Sequence, residues 1–428
     1  VVAEDLARMK ALVIGAGARE HALTAALSAD PGVTSVHAAP GNPGIAAEAE
    51  THPVDVSSPV AVADLAVALS ADLVVIGPEA PLVAGVAEAV RDRGLVCFGP
   101  SAAAARLEGS KAFAKLVMAA AGVPTADSAV CVGKEEAAAA LDRFGPPYVV
   151  KDDGLAAGKG VVVTDDREDA LTHAVACERA VVEEYLSGPE VSLFAVCDGE
   201  TALPLAAAQD FKRLGEGDRG PNTGGMGAYS PLPWVPATLT DDVFESVVAP
   251  TLAEMRRRGT PFTGLLYVGL ALTPGGPRVV EFNARFGDPE TQVVLPRLRT
   301  PLGGLLHAAA TGGLAGAGPL EWSPDAAVTV VLAAPGYPGA PRTGGELLGV
   351  DAAAAVPGAR VLHAGTTQGG DGSLRSAGGR VLSVVGRGAD LAAARATAYD
   401  AIGRITLDGG QFRADIASHA AGDAPVAP

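Results

Sequence analysis

The chain has 428 residues, a hydrophobic content of 48% and a net charge of −17. That length exceeds one ordinary core and implies roughly two to four domains, and the composition is globular rather than disordered. The acidic balance argues against a nucleic-acid or membrane-surface role, and no apolar run reaches the ~18 residues of a membrane span. A cytoplasmic monomer that binds small molecules through local basic clusters is expected. Cys97, Cys131, Cys177 and Cys197 are scattered with no C-x-x-C pair, and the seven histidines show no H-x-x-x-H spacing. Reduced core thiols are expected, with neither a disulfide framework nor a zinc site.

The first hundred residues alternate strand and helix. "ALVIGAG" (11–17), "TSVHAAPGN" (34–42), "DLVVIGPEA" (72–80) and "LVCFGPS" (95–101) read as strands. The helices between them are 19–29, 62–71 and 82–94. Apolar strands between helices predict a doubly wound parallel sheet, with ligands beyond the C-terminal strand ends. A helix at 107–125 opens the second region. "YVVKDDGLAAGKGVVVTDD" (148–166) is two strands around a glycine-rich loop, followed by a helix and the strands "AVVEEYL" and "EVSLFAVC". This small α+β unit, about 125–197, reads as a lid. Residues 209–231 form a long Gly- and Pro-rich loop, which at that length is functional or disordered. A helix at 242–259 and a hairpin at 264–290 follow, then a linker at 315–325. The last hundred residues give three strands and a helix, a small α+β domain with no evident catalytic cluster. The predicted division is 9–108, 109–315 and 326–420.

Three stretches carry chemistry. "GAGAREH" (15–21) lacks the third glycine of a dinucleotide fingerprint, since Glu20 stands there, and no acidic residue ends the second strand. Its glycine turn at a helix start still suits an anion, with Arg19 adding a bidentate contact. In "EFN" (281–283), Glu281 and Asn283 share one strand face, and a carboxylate with an amide oxygen suits Mg²⁺. Arg285, Asp288 and Glu290 follow in "ARFGDPE" as the edge of an active site. Lys111 and Lys151 can neutralise phosphate. "VVEEYLSGPE" (181–190) reads as a hinge whose backbone could read an adenine edge, with Glu190 accepting from ribose hydroxyls.

"GAGAREHA", "APGNPG", "GPEAPLVAG", "KDDGLAAGKGV", "VVEEYLSGPEVS", "QDFKR", "GPNTGGMGAYSP" and "VEFNARFGDPETQVVLPRL" occur in this order. Together they resemble the phosphoribosylamine–glycine ligase (glycinamide ribonucleotide synthetase) family of ATP-grasp enzymes, over nearly the whole chain. The resemblance implies ATP-dependent ligation of glycine to 5-phosphoribosylamine through glycyl phosphate, in purine biosynthesis. It implies ATP and Mg²⁺ (or Mn²⁺), an N-terminal substrate domain, an ATP-grasp domain with its lid, and a small C-terminal domain. Carried over, Lys111, Lys151, Gly158, Lys159 and Gly160 meet phosphate and Glu183, Glu184, Tyr185 and Leu186 form the adenine hinge. Glu190 meets ribose, Arg213 and Asn222 the polyphosphate side, and Glu281 and Asn283 the metal. Lys151 and Arg285 are the catalytic candidates. Gly17, Arg19 and Asn42 are expected near the phosphate of the amine substrate, Glu79 near its ribose, Arg285 at the glycine carboxylate and Asp288 beside them. Three residues depart from the family pattern. Ala18 replaces a glycine and is expected to restrict the turn. Asp152 replaces a small residue and is expected to face solvent or a surface cation. Phe211 replaces a histidine. A different ATP-dependent carboxylate–amine ligase, and an NAD(P)-dependent oxidoreductase, are the rival readings.

Overall fold

The computed structural model describes residues 9–155 and 160–422. The expectations for Gly158 and Lys159 fall outside the described residues. No helix among the described residues is long and apolar enough to cross a membrane.

The N-terminal sheet has five parallel strands, in the order Glu50–Thr51, Val33–Pro40, Met9–Gly15, Leu73–Ile76, Cys97–Phe98. Ala11, Leu12, Val13 and Ile14 of the central strand are fully buried, because helices cover both faces. The chain first winds toward one edge and then crosses to the other. The switch point therefore lies between Met9–Gly15 and Leu73–Ile76, where this architecture opens its ligand crevice. The turns there carry Arg19 and Glu79. Two predicted helices are each broken in two. Residues 82–94 fall within Glu79–Val83 and Val86–Asp92, parted by Gly85 at φ +88°. Residues 107–125 fall within Ala102–Gly109 and Lys111–Ala121, parted by Ser110 in an extended conformation. Ser110 Oγ accepts from the Phe113 amide at 3.1 Å, an N-cap that sets Lys111 at the start of the second helix.

A second sheet orders Ser128–Cys131, Ala180–Glu183, Tyr148–Asp152 and Val161–Thr164, all antiparallel. Helices Gly133–Phe144 and Arg167–Ala176 back it with a small core of their own. The strand Glu190–Asp198, predicted to belong to this lid unit, pairs instead with Thr263–Thr273 in a third sheet. Its run of buried residues from Val191 to Cys197 needs cover on both faces, which the larger core supplies. Gly276–Asn283 is the outer strand of that third sheet.

The segment predicted as a loop, 209–231, holds four short strands. Arg213–Gly215 and Arg219–Asn222 form a hairpin. Gln209–Asp210 and Gly227–Ser230 extend the C-terminal sheet, in the order Gln209–Asp210, Gly227–Ser230, Ala326–Ala333, Arg380–Gly388, Ala359–His363. The C-terminal sheet is thus shared between distant parts of the chain.

Candidate active site

The sheets enclose a cavity of about 700 Å³. Lys111, Lys151, Gly160, the connector from Glu183 to Leu186, Glu190, Arg213 and Asn222 all line it. So do Glu281, Asn283, Arg285, Asp288, Glu79 and Arg19. Gly17 and Asn42 do not; they line a second, adjoining pocket with Gly41, Gly365, Thr366, Asp288 and Arg380.

At the lid side, the buried Glu183 carboxylate takes Lys151 Nζ on one oxygen at 2.9 Å and Lys115 Nζ on the other at 3.2 Å. Lys151 also donates to Val280 O at 2.9 Å. Burial pulls the Lys115 ammonium down to about 8 against the pull of Glu183. Lys115 was not among the residues singled out from sequence, although it lies one helical turn after Lys111. Glu183, expected at the adenine hinge, braces these lysines through its side chain. Glu184 accepts from the Asp127 amide at 2.9 Å and from Arg278 Nη2 at 2.5 Å, which anchors the start of the connector. Tyr185 is half exposed.

The glycine-rich stretch divides its two aspartates. Lys151 faces the cavity. Asp152, on the opposite strand face, lies against the Cys177 thiol, where it and burial push that thiol up. A thiol therefore stands where solvent or a surface cation was expected. Asp153 Oδ1 accepts from the Ala112 amide and from Ser110 Oγ, each at 3.0 Å, and Arg179 pairs with the other oxygen. Burial alone would raise its carboxyl, but these donors hold it below the usual range. Asp153 thus caps the helix that carries Lys111, and Lys111 Nζ donates to Gly154 O at 2.8 Å.

On the opposite wall, Glu281 and Asn283 stand two residues apart on Gly276–Asn283. Burial would raise the Glu281 carboxyl, but Lys212, Lys151, Lys111 and Arg285 outweigh it and keep Glu281 ionised. An ionised carboxylate beside an amide oxygen is a donor set that a hard cation takes, so the residues present fit Mg²⁺. Arg285 Nε donates to Glu79 Oε2 at 3.2 Å, Nη2 lies 3.0 Å from Glu108 Oε1, and both carboxylates hold the guanidinium charged against its burial. Glu108 also accepts from the Ala284 amide at 2.7 Å, and burial raises its carboxyl. Beyond lies a group of acids of which Glu290 is buried. Burial, together with Glu290, Glu190 and Glu281, pushes Asp210 up to about 7, while Lys212 opposes the shift. Lys212 pairs with Glu190 at 2.5 Å, so the residue expected at the ribose is ion-paired within the protein. Tyr267 donates to Glu290 Oε1 at 2.8 Å, and Glu290 Oε2 is buried with no partner among the described residues.

The N-terminal turn differs most from expectation. The Gly17 amide donates to Glu20 Oε2 at 2.6 Å, so the protein's own carboxylate fills the place predicted for an anion. Glu20 lies beneath three glycines: a Cβ at Gly15, Gly17 or Gly77 would come within 2.5, 2.7 and 2.2 Å of it. Arg19 Nε binds Glu20 Oε1 at 2.6 Å and Nη1 donates to Phe286 O at 3.1 Å, which points Arg19 at the main cavity. The Asn42 side chain is also occupied: it donates to Ala16 O at 2.8 Å and His363 O at 2.9 Å, and accepts from the Ile45 amide. The cation of the second pocket is Arg380, from the C-terminal region in which no site residue was expected. Arg380 lies 3.0 Å from Asp288 Oδ2, and donates to Asp288 O at 2.8 Å and to Gly224 O.

The sequence matches three family descriptions in succession: Phosphoribosylglycinamide synthetase N domain over 9–108, its ATP-grasp (A) domain over 109–291 and its C domain over 327–419. The chain belongs to the phosphoribosylglycinamide synthetase family. It is 67% identical to a phosphoribosylamine–glycine ligase of Streptomyces coelicolor, over 97% of this chain and all of that one. A crystal structure of phosphoribosylamine–glycine ligase from Thermotoga maritima superposes with a TM-score of 0.82 at 34% identity, covering 95% of this chain and all of that one. The biotin carboxylase domain of Hydrogenobacter thermophilus 2-oxoglutarate carboxylase, solved with MgADP, shares the fold at a TM-score of 0.69. Its identity is 17%, and the match covers 95% of this chain and 92% of that one.

Two departures from the phosphoribosylglycinamide synthetase pattern have structural accounts. Ala18 begins the helix Ala18–Ser28, and its buried methyl packs with Ala22, Leu362 and Val385, so it does not restrict the turn. Phe211 does not line the cavity; its ring lies under Arg413 at 4.9 Å and beside Tyr229 at 6.1 Å.

Proposed function

We propose that this chain joins glycine to 5-phosphoribosylamine at the expense of ATP, giving glycinamide ribonucleotide, ADP and phosphate through a glycyl phosphate intermediate. One observation carries the reading. A single cavity gathers Lys111, Lys151, the connector from Glu183, Glu281, Asn283 and Arg285, in a chain that belongs to this ligase family along nearly its whole length. We divide the chain into a substrate domain (9–108), an ATP-grasp domain (109–315) and a C-terminal domain (326–420), and take it to act as a cytoplasmic monomer.

The adenine lies along the backbone of Glu184 to Leu186, because Glu183 and Glu184 use their side chains to brace the connector. The polyphosphate faces Lys111, Lys151, Gly160, Arg213 and Asn222. Glu281 and Asn283 would hold Mg²⁺, which would supply charge neutralisation on the phosphates. Arg285 orients the glycine carboxylate, and Glu79 with Glu108 holds the guanidinium in place. Glycyl phosphate is labile in water, so the lid sheet excludes solvent while the amine attacks the acyl carbon. The ribose sits by Glu79. The phosphate of the amine substrate sits in the second pocket, which Gly17 and Asn42 line without contacting it through the Gly17 amide or the Asn42 side chain, with Arg380 rather than Arg19 as its cation. Arg19 instead balances Glu20.

A coupled ADP-release assay tests this. ADP release that requires glycine and phosphoribosylamine together is the expected result. Equal release with another acid–amine pair, or none with this one, sinks the proposal.

A further inference from the structure

The free edge of the N-terminal sheet carries a constellation that lines neither cavity. His37, on Val33–Pro40, stands directly opposite Glu50 on the edge strand Glu50–Thr51. His52 follows that strand, with its amide donating to Ala38 O at 2.9 Å. Glu50 and His52 are two residues apart, so their side chains leave the same face, the face on which His37 lies. Parallel pairing thus converges three metal-ligand side chains that sequence spacing does not bring together.

One ligand atom from each lies within 4.8 Å of the others, close enough for a single ion to draw them together. His37 Nδ1 and His52 Nε2 are 3.1 Å apart. Glu50 offers one oxygen to each ring, 3.6 Å from His37 Nδ1 and 3.8 Å from His52 Nε2. Tetrahedral zinc, with bonds of about 2.0–2.1 Å, sets neighbouring ligand atoms about 3.3 Å apart. His37 Nε2 lies 3.5 Å from Ser35 Oγ, and donation there leaves the Nδ1 lone pair free for a metal. Both imidazoles are largely buried and Glu50 is exposed, so the rings are held and the fourth position opens to water.

We propose that His37, Glu50 and His52 form a zinc-class divalent metal site that clips the edge strand to the N-terminal sheet. The clip has something to hold. Glu50–Thr51 makes only two register pairs, too few to be stable by itself. Thr51 in turn lies against Gly41, where a Cβ would come 2.6 Å from Thr51 Cγ2. Gly41 and Asn42 line the second pocket, so order at this edge passes to the turn beside the substrate.

The test is equilibrium dialysis of the chelator-treated full chain against Zn²⁺ in the presence of excess Mg²⁺, which occupies the Glu281 site. The unaltered chain retains one equivalent, while His37→Ala and His52→Ala each weaken retention at least about tenfold through loss of one of three ligands. His307→Ala, outside the cluster, retains zinc fully. Glu50→Gln changes an exposed side chain, leaves folding intact and weakens retention likewise. Zinc also raises the melting temperature of the unaltered chain but not of the His37 and His52 variants. Equal retention by all four variants overturns the site, and so does absence of retained zinc in the unaltered chain.

Discussion

Lys151 and Glu183 face each other across neighbouring strands of the lid sheet, Nζ to Oε2 at 2.9 Å, both almost fully buried. The second oxygen of Glu183 holds Lys115, so one carboxylate serves two cations taken out of water. Removing the shared partner of a buried pair leaves uncompensated charge, a cost of about 3–5 kcal/mol. Glu183→Ala should therefore lose stability of that order in urea unfolding. A loss below about 1 kcal/mol would mean that water or another group already screens the lysines.

Asp153 and its neighbour Asp152 should respond oppositely to substitution. Asp153 receives an amide, a hydroxyl and a guanidinium at the start of the helix carrying Lys111. Hydrogen bonds to a charged group contribute about 1.5–3 kcal/mol. Asp153→Ala should lower stability by that amount and raise KM for ATP, since Lys111 loses its anchor. Asp152→Ala should leave KM for ATP near its original value, because Asp152 faces Cys177 on the other side of the strand. A KM for ATP that moves equally in both variants would contradict the division.

The site was legible in sequence where chemistry follows local periodicity. Glu281 and Asn283 share a face because strands alternate, and Lys151 and Asp152 part for the same reason. It was not legible where contacts cross the chain. Gln209–Asp210 and Gly227–Ser230 are strands only because Ala326–Ala333, about a hundred residues later, offers an edge. No two- or four-residue run carries that information in its own pattern. Arg380 enters the site for a similar reason, by reaching back to Gly224 and Asp288. Glu20 is the instructive case. An acid three residues after the cap position signals a capping box, and that signal would have predicted a carboxylate on the Gly17 amide in place of a bound anion. The histidines at the sheet edge are 15 residues apart, and only the parallel register makes them neighbours.

His363 gives the fold a dependence on acid. It lies where the C-terminal sheet meets the N-terminal domain, its amide donating to His21 Nδ1 at 2.8 Å and its ring 3.0 Å from Thr366 Oγ1. Burial, and then His21, lower its pKa from 6.5 to about 4, while Glu48 and Asp351 act weakly the other way. As pH falls below 6.5 the unfolded chain takes up this proton first, so stability is full above 6.5 and declines toward pH 4. A shift of that size is worth about 3 kcal/mol. His363→Gln should flatten the slope of unfolding free energy between those limits. An unchanged slope would assign the acid sensitivity to other groups.

Arg380 and Arg19 separate the two readings of the phosphate position. Arg19 is turned toward Glu20, Phe286 and the main cavity, whereas Arg380 stands between that cavity and the second pocket, beside Gly17 and Asn42. Arg380→Ala should raise KM for phosphoribosylamine about tenfold or more, the value of one charge-assisted contact, and leave KM for ATP unchanged. Arg19→Ala should act chiefly on stability, because it strands the buried Glu20 carboxylate, at about 3–5 kcal/mol. Arg380 also ties Gly224 to Asp288, so its loss could disturb the pocket by loosening that turn alone. Arg380→Lys distinguishes the two effects. A single ammonium can keep a phosphate contact but cannot reproduce at once the Nη1 grip on the Gly224 and Asp288 carbonyls and the Nη2 contact with the Asp288 carboxylate. Partial recovery of KM for phosphoribosylamine with no recovery of stability places the cation at the phosphate. Recovery of neither, together with a large KM effect from Arg19→Ala, would return the phosphate to the glycine turn.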